Sequence, residues 1–146
     1  MAQLVRDVMT AGVSAVRPDA SLVEAARLMR ALDIGDVLVA DGDRLIGVVT
    51  DRDIATRAVA EGRDPLAVSA ESVCTPNPVC IGPEEEVGEA IRLMTTHAVR
   101  RLPVMEDGRP LGVVSLGDLA VTQDPDSALA EISMAEPNSE RGGTPA

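Results

Sequence analysis

The chain has 146 residues and a net charge of −11, with 45% hydrophobic and 25% charged residues. This length and composition predict one compact domain, or two small ones in close contact, with enough core to fold without disulfides or a metal. The sequence contains no Phe, Tyr, Trp or Lys and a single histidine, His97. It therefore lacks the lysine of a phosphate-binding loop, the aromatic platforms that stack on bases, and the ligands of a multi-histidine metal site.

The acidic charge also argues against anionic partners. A field of that sign repels nucleic acids and anionic membrane surfaces, and the sequence shows no basic cluster large enough to reverse it. No apolar run approaches the length of a membrane span, and residues 1–8 lack the apolar core of a signal peptide. With only two cysteines, Cys74 and Cys80, the chain has no disulfide framework. We therefore expect a cytoplasmic protein with no nucleic acid and no membrane among its partners.

The first half of the chain shows an alternating pattern of strand and helix signals. Apolar runs and amphipathic stretches predict five elements, in the order strand, helix, strand, strand, helix, at residues 13–16, 21–32, 37–40, 45–49 and 50–62. Ser21 and Glu24 form a capping box at the start of the first helix, and residues 41–43 are typical of a hairpin turn. Residues 63–72 are predicted to be a linker.

The second half repeats this order of elements. They are predicted at residues 79–81, 86–97, 102–105, 111–114 and 115–124. Three consecutive glutamates, at residues 84–86, place negative charge where it stabilises a helix N-terminus. After Pro125, a short helix is predicted at residues 126–135, and the polar residues 136–146, rich in proline and glycine, are predicted to be disordered.

The two halves are copies of one another. Shifting the sequence by 65 residues aligns Val8–Ile54 with Val73–Leu119 without a gap. Identical pairs are spread along this register and include Glu24/Glu89, Met29/Met94, Gly47/Gly112 and Asp53/Asp118. The register predicts an α/β fold of two β-α-β-β-α repeats, packed about a pseudo-two-fold axis.

Each copy carries the motif Gly-Val-Val-[Thr/Ser]-x-x-Asp where its third strand meets its second helix, at Gly47–Asp53 and Gly112–Asp118. A further segment, Arg100–Val104, leads into a second strand. With these motifs the chain resembles a tandem pair of cystathionine β-synthase (CBS) domains, the Bateman module, over about residues 4–122. The resemblance implies one repeat at residues 4–62 and another at residues 73–122.

The resemblance also implies a function. Such a pair is a regulatory, non-catalytic module that binds adenine nucleotides or related adenosyl ligands in clefts between its repeats. AMP, ADP or ATP is the implied ligand, S-adenosylmethionine is a further candidate, and no cofactor is required. The resemblance further implies a homodimer that reports ligand occupancy to a regulated protein, whose identity the sequence does not give.

Candidate ligand-binding residues follow from the place of the motif at a helix start, where free amide groups and the helix dipole suit a phosphate. We expect the carboxylates of Asp53 and Asp118 to accept hydrogen bonds from the ribose hydroxyls. The candidates for the phosphate groups are Thr50, Ser115, Arg52, Arg100 and Arg101. With no aromatic side chain to stack on, the adenine is expected in an aliphatic slot lined by Val13, Ser14, Ala15, Ile34 and Val37. All these residues also have a structural explanation, as helix caps, solvated arginines or core.

The repeats differ at one pair of positions that affects charge. Arg100 and Arg101 of the second repeat stand where the first repeat has glycine and Asp36. The resemblance implies that residues at this position reach across the pseudo-two-fold axis. We therefore expect the arginines to serve the Asp53 cleft, and Asp36 to face the cleft of Asp118. The Asp53 cleft is then expected to bind the more highly phosphorylated ligand.

Other functions stay open on the sequence alone. The chain has no nucleophile–base pair with an orienting third group, so no catalytic residue and no metal site is expected. His97 is expected to be a helix-terminal cation, and Cys74 and Cys80 to be buried free thiols. Two alternatives are a ligand-free structural module that forms dimers and a redox-responsive protein that uses the two cysteines.

Overall fold

A computed structural model describes residues 3–123, 127, 129, 131 and 132 of the chain. The elements of the first half are α1 (Val5–Val8), β1 (Thr10–Ala11), β2 (Ala15–Val16), α2 (Leu22–Leu32), β3 (Asp36–Asp41), β4 (Arg44–Thr50) and α3 (Asp51–Ile54). A π-helical segment, Ala55–Val59, continues α3 without a break. The elements of the second half are α4 (Ala70–Val73), β5 (Thr75–Pro76), α5 (Val87–His97), β6 (Arg101–Glu106), β7 (Arg109–Ser115) and α6 (Leu116–Gln123). The helix predicted at residues 126–135 and the tail predicted at 136–146 lie largely outside the described residues.

The two halves have the same structure in the register that the sequence predicts. Each long element of the first half has a counterpart 65 residues later, so that α2 corresponds to α5, β3 to β6 and β4 to β7. The α/β class and the repeated order of elements are therefore confirmed. One predicted strand is reduced, because within residues 79–81 only Ile81 makes a parallel bridge, to Val104. Prolines at positions 78 and 83 lack an amide donor, which limits the ladder that this segment can form.

The sheet of each repeat is completed by the N-terminal segment of the other. The first sheet has the strand order β2-β3-β4-β5 and the second β1-β7-β6. Strand β1 pairs antiparallel with β7, with Thr10 opposite Val113, and β5 pairs antiparallel with β4, with Thr75 opposite Val48. The short helix and strand that begin each repeat therefore belong structurally to the other repeat. The predicted linker, residues 63–72, includes the start of one of these segments, α4.

Each sheet packs its apolar side chains against helices in a separate core. Val5 from α1 is fully buried in the core of the second repeat, and Val73 from α4 is buried in the core of the first. The first core also contains Leu22, Ala25, Met29, Val37, Val39 and Val49, and the second contains Val87, Ala90, Met94, Leu102, Val104 and Val114. The exchanged segments are thus part of the apolar cores and fix the two repeats to each other.

The glycine of the repeated motif is required by this strand exchange. A Cβ at Gly47 would lie 2.7 Å from Sγ of Cys74 and would overlap the carbonyl oxygen of Thr75. A Cβ at Gly112 would overlap the carbonyl oxygen of Thr10 in the same way. Glycine at this position therefore lets the exchanged strand approach the backbone of β4 or β7 directly.

Helix starts and turns carry the residues that the sequence assigns to them. Ser21 caps α2 by accepting a hydrogen bond from the Glu24 amide at 3.1 Å. Gly42 (φ 61°) and Asp107 (φ 51°) adopt the left-handed conformation that the two hairpin turns need. His97 is exposed as the last residue of α5, where a cation is favourable.

No helix in the described part of the chain is long and apolar enough to cross a bilayer.

Candidate functional site

Two helix starts hold the carboxylates predicted to bind ribose. At the first, Oγ1 of Thr50 accepts from the Asp53 amide at 3.0 Å, and Oδ2 of Asp53 accepts from the Thr50 amide at 2.9 Å. At the second, Oγ of Ser115 accepts from the Asp118 amide at 3.1 Å, and Oδ2 of Asp118 accepts from the Ser115 amide at 2.9 Å. Both are reciprocal capping boxes, so one oxygen of each carboxylate serves the fold. The other oxygen, Oδ1, takes no part in the cap.

The surroundings of Oδ1 distinguish the two helix starts. Oδ1 of Asp53 lies 3.7 Å from Nε of Arg57, and Nη1 of Arg57 donates to the Val73 carbonyl at 3.1 Å. In the second repeat Thr122 stands at the position of Arg57 and donates to the backbone carbonyl of Asp118 at 3.0 Å. Among the described residues no cation pairs with the Asp118 carboxylate. Asp118 therefore keeps an oxygen for a ligand hydroxyl, whereas Asp53 is engaged on both of its oxygens.

A cavity of about 650 Å³ opens beside Asp118, between the two repeats. That volume lies within the range of roughly 300–1,000 Å³ that is typical of small-ligand sites. The lining comes from the exchanged N-terminal segment, from the start of β3, and from β6, β7 and the start of α6. Lining residues from these parts include Thr10, Gly12, Ser14, Ile34, Asp36, Val37, Arg100, Arg101, Ser115, Gly117 and Asp118. Both repeats therefore contribute to one site.

An ion pair joins the repeats at this cavity. Nε of Arg101, at the start of β6, lies 3.1 Å from Oδ1 of Asp36, at the start of β3. The Asp36 side chain is 13% exposed and that of Arg101 is 46% exposed. Burial raises the pKa of the Asp36 carboxyl, the Arg101 guanidinium opposes this rise, and the nearby Asp51 carboxylate adds to it. The pair therefore keeps a charged carboxylate in a place that water reaches poorly.

The structure places Arg100 and Arg101 beside Asp118. Both arginines line the Asp118 cavity together with Asp36. One reason is that Arg101 lies directly opposite Ser115 in the β6–β7 ladder. A second reason is that equivalent residues of two repeats can meet only close to the axis that relates them. Opposite charges at such a position attract, so Asp36 and Arg101 form a pair at the Asp118 cavity. A role of the two arginines at the Asp53 cleft stays a prediction.

The adenine candidates divide into two groups. Ser14, Ile34 and Val37 line the cavity, and Val37 also belongs to the core of the first repeat. Val13 and Ala15 are not part of the lining. The side chains of a β-strand alternate between its two faces, so a run of neighbouring residues cannot all face one cavity. Three of the five candidates therefore line this cavity, and an adenine-binding role for them stays a prediction.

The phosphate candidates of the first repeat lie elsewhere. Thr50 and Arg52 do not line the cavity, and neither does Asp53. Arg52 is exposed within α3, which has four α-helical residues before the π-helical segment begins. A ligand-binding role for these residues stays a prediction.

Several lining residues were not among the candidates from the sequence. Thr10 and Gly12 come from the segment that pairs with β7, and Gly117 lies in the first turn of α6. The position of Gly117 inside the repeated motif is a signal that points to it. Thr10 and Gly12 carry no comparable signal, because their place at the cavity depends on a strand pairing between residues about 100 apart.

The two cysteines are free and lie in different places. Cys74 is buried in the core of the first repeat, where its thiol donates to the Glu71 carbonyl at 3.3 Å. Cys80 is half-buried and lines a cavity of about 550 Å³ near the hairpin tips, with Asp43 and Met105. Burial raises the pKa of both thiols, which disfavours the reactive thiolate. The described residues hold no cluster of three or more His, Cys, Asp or Glu side chains that would bind a metal ion.

Known proteins share this sequence pattern. The CBS domain family model matches the chain twice, at residues 5–60 and 70–122. The CBS domain-containing protein YhcV of Bacillus subtilis is 40% identical over 133 residues, which cover 88% of this chain and 94% of that protein. Hypoxic response protein 1 of Mycobacterium tuberculosis is 37% identical over 116 residues, which cover 79% of this chain and 81% of that protein.

Crystal structures share the fold. That of hypoxic response protein I with two coordinated zinc ions has a TM-score of 0.74 at 36% identity, over 81% of this chain and 97% of that one. A CBS-domain protein from Burkholderia ambifaria has a TM-score of 0.78 at 30% identity, over 86% and 96%. A CBS domain pair in complex with 5′-methylthioadenosine and S-adenosyl-L-methionine has a TM-score of 0.78 over 87% and 100%. Because this pair is only 23% identical in sequence to the chain, the comparison shows a shared fold alone.

The tandem repeat, the exchanged strands and the cavity that both repeats line define a regulatory ligand-binding module. The chain belongs to the CBS domain family, as a tandem pair of CBS domains. The family resemblance of the two motifs is thereby confirmed over both repeats.

Proposed function

We propose that this CBS domain pair binds an adenosine-containing ligand in the Asp118 cavity and reports its occupancy to a protein partner. The observation that carries the proposal is the cavity itself. It brings the start of a helix, a carboxylate oxygen that the fold leaves open, and both polar and apolar side chains around one space. AMP, ADP, ATP and S-adenosylmethionine are the candidate ligands, and no other cofactor is needed for this role.

Each part of such a ligand has a matching surface in the cavity. Oδ1 of Asp118 is placed to accept a hydrogen bond from a ribose hydroxyl. The hydroxyl of Ser115 and the backbone amide of Gly117, in the first turn of α6, suit an anionic group. The Ile34 side chain, which is 36% exposed, supplies an apolar surface for the adenine ring with Ser14 beside it, whereas Val37 is buried in the core. The ligand therefore contacts both repeats at once.

This shared lining provides the route to regulation. A ligand that touches both repeats stabilises one relative arrangement of them over others. A partner protein senses the ligand only if it binds the two arrangements with different affinity. The Asp53 side contributes less to this signal, because Arg57 and the cap already engage both oxygens of that carboxylate. We expect one tightly bound ligand per chain, at the Asp118 cavity.

The two equivalent caps give a matched experiment. Asp118→Ala removes both a cap and the ribose contact, whereas Asp53→Ala removes a cap of the same geometry on the other repeat. Both variants are expected to lose about 1 kcal/mol of stability. Asp118→Ala is also expected to weaken the binding of adenosine and AMP by about tenfold to hundredfold. Isothermal titration calorimetry measures affinity and stoichiometry, and thermal unfolding measures the loss of the cap.

An affinity of Asp118→Ala equal to that of the wild type would show that Asp118 is only a cap. Native mass spectrometry of freshly purified protein gives an independent check, because a tightly bound adenosyl ligand adds its mass to the chain. If the wild type neither carries nor binds an adenosyl compound, the proposal is wrong, and the two alternatives from the sequence, a ligand-free structural module and a redox-responsive protein, are the ones to test.

A further inference from the structure

The charges that line the Asp118 cavity do not favour a polyanion. The lining has three carboxylates and two guanidinium groups, from Asp33, Asp36, Asp118, Arg100 and Arg101. The lining therefore offers no excess of positive charge among the described residues. A nucleoside triphosphate adds several negative charges of its own, and such a surrounding disfavours them.

Arg101 cannot bind a phosphate without affecting Asp36. The two side chains are 3.1 Å apart, and Asp36 is only 13% exposed. A phosphate that draws Arg101 away leaves a poorly hydrated carboxylate without its cation, next to the charge of the phosphate itself. Asp36 is the buried member of the pair, and losing its more exposed partner is unfavourable because the carboxylate charge is then left uncompensated. The pair is therefore expected to stay intact when a ligand binds.

Arg100 is the cation that remains for a ligand. Its side chain is exposed, and no carboxylate within salt-bridge distance pairs with it among the described residues. Its backbone carbonyl accepts from the Leu116 amide at 2.8 Å, which ties this residue to the start of α6 beside Ser115. One guanidinium group matches one anionic group, such as a single phosphate or a carboxylate.

We infer that the Asp36–Arg101 pair determines the charge class of the ligand and limits it to an adenosyl compound with one anionic group at most. The inference rests on the proposed function, since it concerns the ligand of the same cavity. It separates the candidates: adenosine-like compounds and AMP are accepted, and ATP is disfavoured.

Calorimetry with adenosine, AMP and ATP on the wild type and on Asp36→Asn tests the inference. The wild type is expected to bind ATP at least about tenfold more weakly than AMP. Asp36→Asn removes the buried charge and releases Arg101, so the ratio of AMP affinity to ATP affinity is expected to shrink by about tenfold. Asp43→Asn is the matched control, because it breaks the Asp43–Arg109 pair, which has a similar distance of 3.3 Å but is exposed and lies outside the cavity. This control is expected to leave the ratio unchanged.

The outcomes separate the two proposals. A wild type that binds ATP as tightly as AMP, or more tightly, overturns the inference and leaves the proposed function intact. A ratio that is the same in Asp36→Asn as in the wild type overturns the role of the pair. Failure of the wild type to bind adenosine and AMP overturns the proposed function and the inference together. Asp36→Ser replaces Asp36→Asn if that variant does not fold.

Discussion

Asp36 is a carboxylate whose surroundings oppose its charge. Burial raises its pKa, the Arg101 guanidinium lowers it and the Asp51 carboxylate raises it. When the pKa of an acid is higher in the folded chain than in the unfolded one, the folded state holds more protons in the window between the two values. The contribution of Asp36 to stability therefore falls as the pH rises through that window, and it is recovered as the pH falls.

We expect the wild type to gain stability relative to Asp36→Asn when the pH is lowered from about 7 toward about 4, close to the ordinary aspartate pKa of 3.8. Asparagine takes up no proton, so the difference between the two proteins isolates this carboxyl. Urea denaturation at both pH values gives the free energies of unfolding. Arg101→Met removes the opposing cation and is expected to steepen the dependence. If the difference in unfolding free energy between the wild type and Asp36→Asn stays constant with pH, the pKa of Asp36 is not raised.

The residues of the site differ in how far the sequence can predict them. The two capping boxes are predictable, because each joins residues three positions apart on one helix start. The contact of Arg57 with Asp53 is an i,i+4 pair and has a sequence signal of the same local kind. The ion pair between Asp36 and Arg101 has none, because it forms only when the two repeats are packed about their axis.

At the scale of the elements, the short segments that begin each repeat escape prediction. Helices α1 and α4 have four residues each, and strands β1 and β5 have two. Such lengths leave no periodic pattern in the sequence. The β3–β4 and β6–β7 hairpins are predictable, because two apolar runs flank a turn that contains glycine. Part of the predicted linker is the short helix α4, which the sequence also does not reveal. Its apolar residues Ala70 and Val73 pack into the core of the first repeat, far from their neighbours in sequence.

The strand exchange makes a prediction about the motif glycines. Gly112→Ala forces a Cβ into the carbonyl of Thr10, and Gly47→Ala forces one into the carbonyl of Thr75. We expect each variant to lose about 1–3 kcal/mol of unfolding free energy, because the exchanged strand must move away. Urea denaturation gives the value for each protein.

A helical glycine provides the control for this pair. A Cβ at Gly88, in the first turn of α5, meets nothing within 4 Å, so Gly88→Ala is expected to raise the unfolding free energy by about 0.5–1 kcal/mol. Wild-type stability in both Gly47→Ala and Gly112→Ala would show that the exchanged strands do not need this close approach.

At the scale of the whole molecule, the helices leave apolar surface exposed. Val59, at the end of the π-helical segment, is 60% exposed, and Ile91, on α5, is 40% exposed. A groove of about 660 Å³ beside α2 and α3 is lined in part by Ala26 and Ile54. We propose that these faces, on the helices that begin at Ser21, Thr50 and Glu86, form the contact of a homodimer. Other assemblies occur among proteins of this fold, and a CBS-CP12 protein from cyanobacteria is a hexamer.

Light scattering at micromolar concentration is expected to give twice the chain mass of 15.2 kDa for the wild type. A double variant, Val59→Glu with Ile91→Glu, places charge on the apolar helix faces and is expected to shift the mass toward one chain. Leu66→Glu is the control, because Leu66 is 69% exposed but belongs to the segment that connects the two repeats in the sequence, outside those helices. A wild type with the mass of a single chain would rule out the dimer.

The exchange of β1 and β5 has a topological consequence. A single repeat on its own would expose the edge of its hairpin where the strand of the other repeat belongs, and its own first strand would have no sheet to join. Two such fragments can meet both needs only by swapping these segments, as the protomers of a domain-swapped dimer do. The chain is equivalent to a swapped dimer joined into one polypeptide. The connection between the repeats therefore makes their association independent of protein concentration.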